Sequence, residues 1–85
     1  MKTFVYVLKS KKDYYVYIGI SKNPYKRLKE HNSGGSKYTK GHMPYGLVYQ
    51  EMYSDRVSAR FREKYLKSGE GRELVKSFIG KYIPR

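Results

Sequence analysis

The side chains with the clearest chemical potential are two tyrosines, an arginine, a histidine and a glutamate: Tyr6, Tyr17, Arg27, His31 and Glu63. A phenol or an imidazole can move a proton, a guanidinium can neutralise a phosphoryl oxygen, and a carboxylate can hold a divalent cation. Placed together, these groups would form an economical site for a phosphodiester. Whether they meet depends on the elements that carry them.

Both tyrosines lie in segments that predict β-strands. TFVYVLKS (residues 3–10) and YYVYIGI (residues 14–20) are rich in β-branched and aromatic residues, and the short KKD segment between them favours an antiparallel hairpin. Side chains alternate along a strand, so the second strand has one aliphatic face and carries Tyr17 on the other. If the aliphatic faces of the two strands pair, Tyr6 and Tyr17 are neighbours.

Gly19 is unusual in such a strand, because glycine weakens a strand interior and offers no side chain to pack. On the tyrosine face it would leave an open place that admits a backbone, a helix or a ligand. Replacing Gly19 by valine should then harm function more than stability. The alternative is that the tyrosines simply suit half-buried strands.

The segment SKNPYKRLKEHNSGG (residues 21–35) predicts a helix with an Asn-Pro start and a glycine end. Arg27 and His31 share a face with Leu28, the one aliphatic residue of this helix, so we expect both to point inward. The alternative for the arginine is a cation stacked on a core tyrosine.

The remaining elements complete a small mixed fold. They are a loop at 33–46, a third strand at 47–53, a helix at 56–68 that stops at Gly69, and a shorter helix from Arg72 to about Phe78. The predicted fold is α+β, a three-stranded antiparallel sheet with flanking helices in the order β-β-α-β-α-α, and it forms a single domain over residues 1–85.

Glu63 lies at the edge of the apolar stripe of the helix at 56–68, so we expect it to face partly inward. A carboxylate there suits a metal ion near an arginine and two phenols. The alternative is an ion pair with Arg60, Lys67 or Arg27.

The charge balance narrows the classes of partner. The 85 residues include 19 Lys and Arg against 7 Asp and Glu, a formal net charge of +12. Basic residues spread along a folded chain attract phosphate backbones, although solubility alone is another explanation.

With no cysteine and two histidines, metal ligands must be mainly carboxylate and water oxygens, which suits Mg²⁺ or Mn²⁺. No segment resembles a signal peptide or a membrane span, so we expect a cytoplasmic protein without a membrane partner.

Several of these residues stand in motifs that resemble those of the GIY-YIG nucleases. FVY at 4–6 and VYIG at 16–19 resemble the paired motif, NPYKRLKEHN at 23–32 the arginine helix, and RVSARFREKYLKSGEGRE at 56–73 the helix with the metal-binding glutamate. The likeness runs from about Thr3 to Phe78 and is greatest to the small stand-alone bacterial branch. The first motif departs from the family pattern, with Phe4 for its glycine and Val5 for its isoleucine.

This resemblance implies a metal-dependent DNA endonuclease, acting in DNA repair or recombination, whose specificity comes from a protein partner. Glu63 would hold one Mg²⁺ or Mn²⁺, and Arg27 would neutralise the scissile phosphate. Tyr6 or Tyr17 would position and deprotonate the attacking water. His31 would assist proton transfer or orient a neighbour.

Surface residues extend the expected contact with nucleic acid, since basic side chains grip a backbone and aromatic ones stack on bases. These residues are Lys37, Tyr38, Lys40, His42, Lys64, Lys67 and Arg72. Two other functions stay open: a non-catalytic module that binds DNA or RNA, and an interaction domain that uses apolar residues near Phe78 and Ile83. Salt-dependent binding without turnover would favour the module, and binding to protein but not DNA would favour the interaction domain.

Overall fold

The computed structural model describes residues 2–35, 37 and 39–82. The described residues form three strands and three longer helices in the order β-β-α-β-α-α, which confirms the predicted α+β fold. These elements are β1 Thr3–Ser10, β2 Val16–Ser21, α1 Pro24–Asn32, β3 Tyr45–Tyr53, α2 Arg56–Lys67 and α3 Gly69–Tyr82. None of the helices in this described part of the chain has the length and apolarity to cross a bilayer.

The strand β1 lies at the centre of the sheet, in the order β2-β1-β3, and both of its pairings are antiparallel. The predicted hairpin of β1 and β2 is therefore confirmed. Tyr6 pairs with Gly19, and Leu8 pairs with Tyr17. This register places Tyr6 and Tyr17 diagonally across one face, within reach of each other.

The strand β2 begins at Val16 rather than at Tyr14, where the sequence predicts it. The N–H of Tyr15 donates to the carboxylate of Asp13 at 2.9 Å, and its C=O accepts from the N–H of Ser10 at 2.9 Å. These bonds belong to the turn, because the aspartate side chain satisfies a backbone donor that a strand would otherwise use. The turn therefore extends two residues into the predicted strand.

The two faces of the sheet pack against different helices. Against α2 and α3 the buried side chains are aliphatic: Val5, Val7, Ile18, Ala59, Leu66 and Val75. Against α1 lies what we call the tyrosine face, where the buried side chains are Tyr6, Leu8 and Tyr45. A fully buried Val or Leu contributes about 1.5–3 kcal/mol, so the aliphatic face makes a large contribution to the stability of the fold.

A β-bulge in β3 changes which of its side chains lie on each face of the sheet. The register against β1 shifts between Leu47 and Tyr49, where Val48 is an extra residue. An extra residue reverses the alternation of side chains, so Leu47 packs on the tyrosine face and Tyr49 on the aliphatic face. The strand also begins at Tyr45, earlier than predicted, which brings that ring to the tyrosine face.

The two ends of α1 agree with the predicted signals, and a side-chain cap also begins α2. The side chain of Asn23 accepts from the N–H of Lys26 at 3.1 Å, and Gly34 follows α1 with a φ of +80°. Asp55 caps α2 by accepting from the N–H of Ser58 at 2.7 Å. A left-handed residue after a helix favours glycine because it carries no Cβ.

The helix α3 begins earlier and ends later than the predicted helix from Arg72 to about Phe78. The sequence predicts that Gly69 ends the preceding helix, whereas in the structure α3 begins at this residue. A Cβ added at Gly71 would collide with the backbone of Tyr65. Glycine therefore permits the close crossing of α3 over the last turn of α2. The hydroxyl of Ser68 accepts from the N–H of Gly71 at 3.2 Å and caps the first turn.

Candidate active site

Tyr6, Tyr17 and His31 form a compact group on the tyrosine face, here called the phenol–imidazole cluster. The ring centroids of Tyr6 and Tyr17 are 6.1 Å apart, and those of Tyr17 and His31 are 4.6 Å apart. The hydroxyl of Tyr6 lies 3.5 Å from Nε2 of His31. The hairpin supplies the phenols and α1 supplies the imidazole, so three of the five candidate side chains meet.

Gly19 lies opposite Tyr6, and the place beside it is filled. A Cβ added at Gly19 would lie 2.8 Å from the hydroxyl oxygen of Tyr6 and 2.9 Å from Cε2 of Tyr17. The expectation of an open place on the sheet is therefore wrong, because the two phenol rings occupy it. Replacing Gly19 by valine would displace both rings, so we expect activity and stability to fall together.

His31 is buried, with both ring nitrogens facing hydroxyl groups. Its Nδ1 lies 2.9 Å from Oγ1 of Thr39, and its Nε2 faces Tyr6. Burial, together with the charge of Arg27, holds the pKa of His31 below its ordinary value, so the ring is neutral at pH 7. A neutral imidazole donates through one nitrogen and accepts through the other. His31 can therefore orient the hydroxyl of Tyr6 or accept a proton from it.

The two phenols of the cluster differ in exposure. Tyr6 is fully buried, whereas Tyr17 is half-buried. Burial raises the pKa of Tyr6 above its ordinary value, and the interaction with Arg27 offsets only part of that rise. Tyr6 is therefore a protonated hydrogen-bonding group, and Tyr17 is the phenol that solvent can reach.

Arg27 lies where the cluster meets solvent, rather than facing inward as predicted. Its side chain is 44% exposed, and its Nη1 forms an ion pair with Glu30 at 2.8 Å. The buried residues of α1 are Pro24 and His31, which leaves Arg27 at the flank of the packed face. Its interaction with Tyr6 nevertheless raises the pKa of the guanidinium. An exposed pair of this kind is worth about 0–1 kcal/mol, so an incoming phosphate can replace Glu30.

Glu63 lies on α2, across the sheet from the phenol–imidazole cluster. Its buried carboxylate accepts hydrogen bonds from Nη1 of Arg60 at 3.2 Å and from Nζ of Lys67 at 3.1 Å. Both partners belong to the ion-pair alternative considered from the sequence, whereas Arg27 pairs with Glu30 instead. The structure thus joins Glu63 to surface cations and not directly to the phenols.

Glu63 is connected to the region of the outer strand β2 through its ion-pair partner Lys67. The preceding residue, Arg62, bonds to Glu51 of β3 at 2.9 Å. Successive helical residues point about 100° apart, so Glu63 points to a different side of α2 from Arg62. Its partner Lys67 and the catalytic candidate Tyr17 both border a cleft of about 790 Å³ along β2, here called the edge cleft. Lys67 is therefore the described link between Glu63 and the cleft that Tyr17 borders.

The donor set at Glu63 fits a hydrated divalent cation. Within the described residues, no three His, Asp or Glu side chains gather as a metal cage. Mg²⁺ often binds through one or two carboxylates, with waters and substrate phosphates completing its shell. The side chains of Arg60 and Lys67 are 51% and 54% exposed, so both can turn into solvent and release the carboxylate. A carboxylate released in this way is a ligand of the kind that hard divalent cations bind.

The other residues predicted to contact nucleic acid occupy two regions. Exposed side chains are found at Lys37 and Lys40 in the loop, and at Lys64, Lys67 and Arg72 on the helices. Tyr38 lies outside the described residues. Lys67 and Arg72 border the edge cleft together with Tyr17, whereas Lys64 does not. The structure therefore brings only part of the predicted basic track near the cluster.

His42 was predicted to contact nucleic acid, but its side chain is engaged within the protein. Its ring stacks on Tyr15 with centroids 4.0 Å apart, and its Nδ1 lies 2.7 Å from a carboxylate oxygen of Asp13. This hydrogen bond is the main reason that the pKa of Asp13 falls to about 2. His42 therefore fastens the loop to the hairpin.

Three residues that shape the site were not singled out from the sequence. Thr39 is fully buried and faces His31, and the hydroxyl of Tyr45 donates to the backbone oxygen of Thr39 at 2.8 Å. The side-chain amide of Asn32 bonds twice to the backbone of Tyr45, at 2.6 and 3.1 Å. No local pattern marks Thr39, because its role depends on a contact between the loop and α1.

Comparisons with known proteins agree over most of the chain. The sequence model of the GIY-YIG catalytic domain matches residues 2–76. A UPF0213 protein of Clostridium perfringens is 46% identical over 65 residues, which are 75% of this chain and 69% of that protein. A UPF0213 protein of Staphylococcus haemolyticus is 41% identical over 76 residues, which are 88% of this chain and 92% of that protein. The solution NMR structure of a UPF0213 protein of Bacillus halodurans matches with a TM-score of 0.55 at 34% identity, covering 91% of this chain and 84% of that one.

Proposed function

Because the chain belongs to the family of GIY-YIG catalytic domains, as its motifs predict, we propose that it is a metal-dependent DNA endonuclease that hydrolyses phosphodiester bonds. The observation that supports this most is the phenol–imidazole cluster beside the exposed guanidinium of Arg27. The net charge of +12 suits a polyanionic substrate. We place the activity in the cytoplasm, in DNA repair or recombination, with a protein partner that adds specificity.

Arg27 binds the scissile phosphate in this proposal. Its planar guanidinium can donate two parallel hydrogen bonds to phosphoryl oxygens, which a lysine cannot do. The ion pair with Glu30 joins two half-exposed side chains, and phosphate replaces the glutamate at little cost. Arg27 thereby brings the substrate to the opening of the cluster.

Tyr17 is the phenol that orients and deprotonates the attacking water, because it reaches solvent while Tyr6 is fully buried. A phenol acts as a base near neutral pH only when cations stabilise its phenolate, so this role needs a bound cation beside the cluster; the described interaction of Arg27 is with the neighbouring Tyr6. Tyr6 is a positioning residue: its ring lies over Gly19, and its hydroxyl faces the neutral His31.

Glu63 holds the divalent cation. When bound, that cation supplies charge stabilisation for the phosphoryl and leaving oxygens. Arg60 and Lys67 hold the carboxylate until then, through hydrogen bonds of 3.2 and 3.1 Å. The phosphates of DNA attract the side chains of Arg60 and Lys67, so substrate binding favours release of the Glu63 carboxylate from these two partners.

Cleavage of labelled single-stranded, duplex and branched DNA in Mg²⁺, Mn²⁺ or EDTA tests the proposal. We expect the wild type to cut with metal and not in EDTA. Tyr17→Phe removes the proton-handling hydroxyl, so it should cut at least about a hundredfold more slowly and bind DNA as tightly. Tyr25→Phe is the matched control, because Tyr25 is an exposed tyrosine of α1, 62% accessible.

The outcomes separate the proposal from its competitors. Equal cutting by Tyr17→Phe and the wild type would remove Tyr17 from the mechanism. Salt-dependent DNA binding by a wild type that cuts no substrate would indicate a binding module, and binding to protein alone would indicate an interaction domain.

A further inference from the structure

The edge cleft runs between the outer edge of β2 and α3, and its volume of about 790 Å³ is that of a ligand site. Its floor is apolar, with Val16 and Ile18 from the strand and Val75 and Ile79 from the helix. An apolar floor offers an uncharged ring a place out of water. The cleft thus has the volume and the apolar lining that a ring-containing ligand needs.

The rim of the cleft is cationic. Lys9, Lys67, Arg72 and Lys76 border it, and no Asp or Glu is found among its described lining residues. Among the described residues Arg72 has no ion-pair partner, whereas Lys67 pairs with Glu63 and Lys76 with Glu73. An anion that enters the cleft can therefore reach Arg72 without breaking a described ion pair. Lys9 also has no ion-pair partner among the described residues, but its Nζ donates to the backbone oxygens of Ser10 and Asp13 at 2.6 and 2.5 Å.

An exposed phenol stands at the lip of the cleft. Tyr14 is 94% exposed, and Nζ of Lys9 lies 5.8 Å from the centroid of its ring. Its neighbour Tyr15 is already stacked on His42. An almost fully exposed aromatic ring on a positively charged edge is typical of surfaces on which nucleic-acid bases stack. Tyr14 therefore has an open face for such a partner.

We propose that the edge cleft binds an unpaired nucleotide of the DNA substrate, with its base stacked on Tyr14 above the apolar floor and its phosphate on Arg72. This proposal rests on the proposed nuclease function and names its substrate class. Because Tyr17 borders both the cleft and the phenol–imidazole cluster, the unpaired nucleotide lies next to the scissile phosphate. The preferred substrates are then DNA strands with unpaired bases at the cleavage point.

Binding in EDTA tests the pocket without any cleavage. The probes are two fluorescent oligonucleotides of equal length, one of thymidines and one of abasic nucleotides, which carry the same phosphates. If the cleft takes a base, the wild type binds the thymidine probe at least about fivefold more tightly, as expected for one stacked base. Tyr14→Ala should lose this preference and retain its affinity for the abasic probe. Tyr25→Ala, which removes an exposed tyrosine outside the cleft, should keep the preference.

A second variant blocks the cleft from the side of α3. Gly80 borders the cleft, and a Cβ added there meets nothing within 4 Å. Gly80→Trp should therefore fold normally and abolish the preference for bases, whereas Gly80→Ala should retain it.

Equal binding of both probes by the wild type would overturn the proposal that the edge cleft binds a base. A preference for the thymidine probe that survives in both Tyr14→Ala and Gly80→Trp would overturn it as well. Neither result affects the cleavage assay, so the pocket and the nuclease function fail separately. If the wild type prefers the thymidine probe but cuts no DNA, the result supports the base-binding cleft and contradicts the proposed nuclease function.

Discussion

Glu51 of β3 and Glu63 of α2 both have carboxylates that are largely shielded from solvent, yet the hydrogen-bond partners of the two carboxylates differ. The oxygens of Glu51 accept four hydrogen bonds of 2.5–2.9 Å from two tyrosines and one arginine. The oxygens of Glu63 accept two, of 3.1–3.2 Å, from half-exposed cations of its own helix. The comparison shows that burial alone does not decide whether a carboxylate has a purely structural role. The number of its hydrogen-bond partners and their exposure to solvent also matter, and by these two criteria Glu63 can exchange its partners for a ligand more easily than Glu51 can.

Glu51 joins β3 to α2. Arg62 binds it with two parallel bonds of 2.9 Å, and Tyr49 and Tyr53 donate from the same strand. Burial, reinforced by the hydrogen bond to Glu51, raises the pKa of Tyr49 to about 12. Every acceptor position of the carboxylate is used by groups that are themselves packed in the fold, so Glu51 has little capacity for a ligand.

The largest difference that we expect is in stability. Glu51→Gln removes the charge that pairs with Arg62 and replaces one of the two acceptor oxygens by an NH₂ group, which leaves a phenol and a guanidinium N–H without their acceptor, so the free energy of unfolding should fall by roughly 2 kcal/mol. Glu63→Gln should cost at most about 0.5 kcal/mol, because its half-exposed partners can be hydrated. Urea denaturation of both variants measures the two values. Similar losses in the two variants would contradict the distinction.

A smaller expected effect is the loss of the stabilisation by Glu51 at low pH. Burial raises the pKa of Glu51, but the hydrogen bonds from Arg62, Tyr49 and Tyr53 outweigh it, so the net pKa lies below its usual 4.5. A lowered folded-state pKa means that ionised Glu51 stabilises the fold above about pH 4.5 and that this contribution is lost as the pH falls through the lowered value.

The stability difference between wild type and Glu51→Gln should therefore narrow when the pH is lowered from about 6 to about 3. Thermal unfolding at several pH values measures this narrowing. A constant difference across that range would show that the charge of Glu51 is not what stabilises the contact.

The features predicted correctly from the sequence depend on local patterns. Alternation along two short strands was enough to place Tyr6 and Tyr17 together, because register in a hairpin follows from the turn and the buried face. The Asn-Pro start of α1 was equally local. The family and the fold followed from motifs that keep their order along the chain.

The features that were missed depend on contacts between distant segments. The sequence predicts a stop at Gly69 and a new helix only from Arg72, and only the close approach of Gly71 to α2 shows why glycine lies in the first turn of α3. Gly19 reads as a vacancy, whereas the tyrosine rings fill the space above it. Glu51 was not singled out at all, since its arginine lies 11 residues away on another element.

The central claim is that Glu63, and not Glu51, serves the reaction. The most direct test is the rate of Mg²⁺-dependent DNA cleavage by wild type, Glu63→Gln and Glu51→Gln, at a temperature at which circular dichroism shows all three folded. The account predicts a loss of at least about a hundredfold for Glu63→Gln and a rate near that of the wild type for Glu51→Gln. Wild-type cleavage by Glu63→Gln, or an equal loss in both variants, would contradict it.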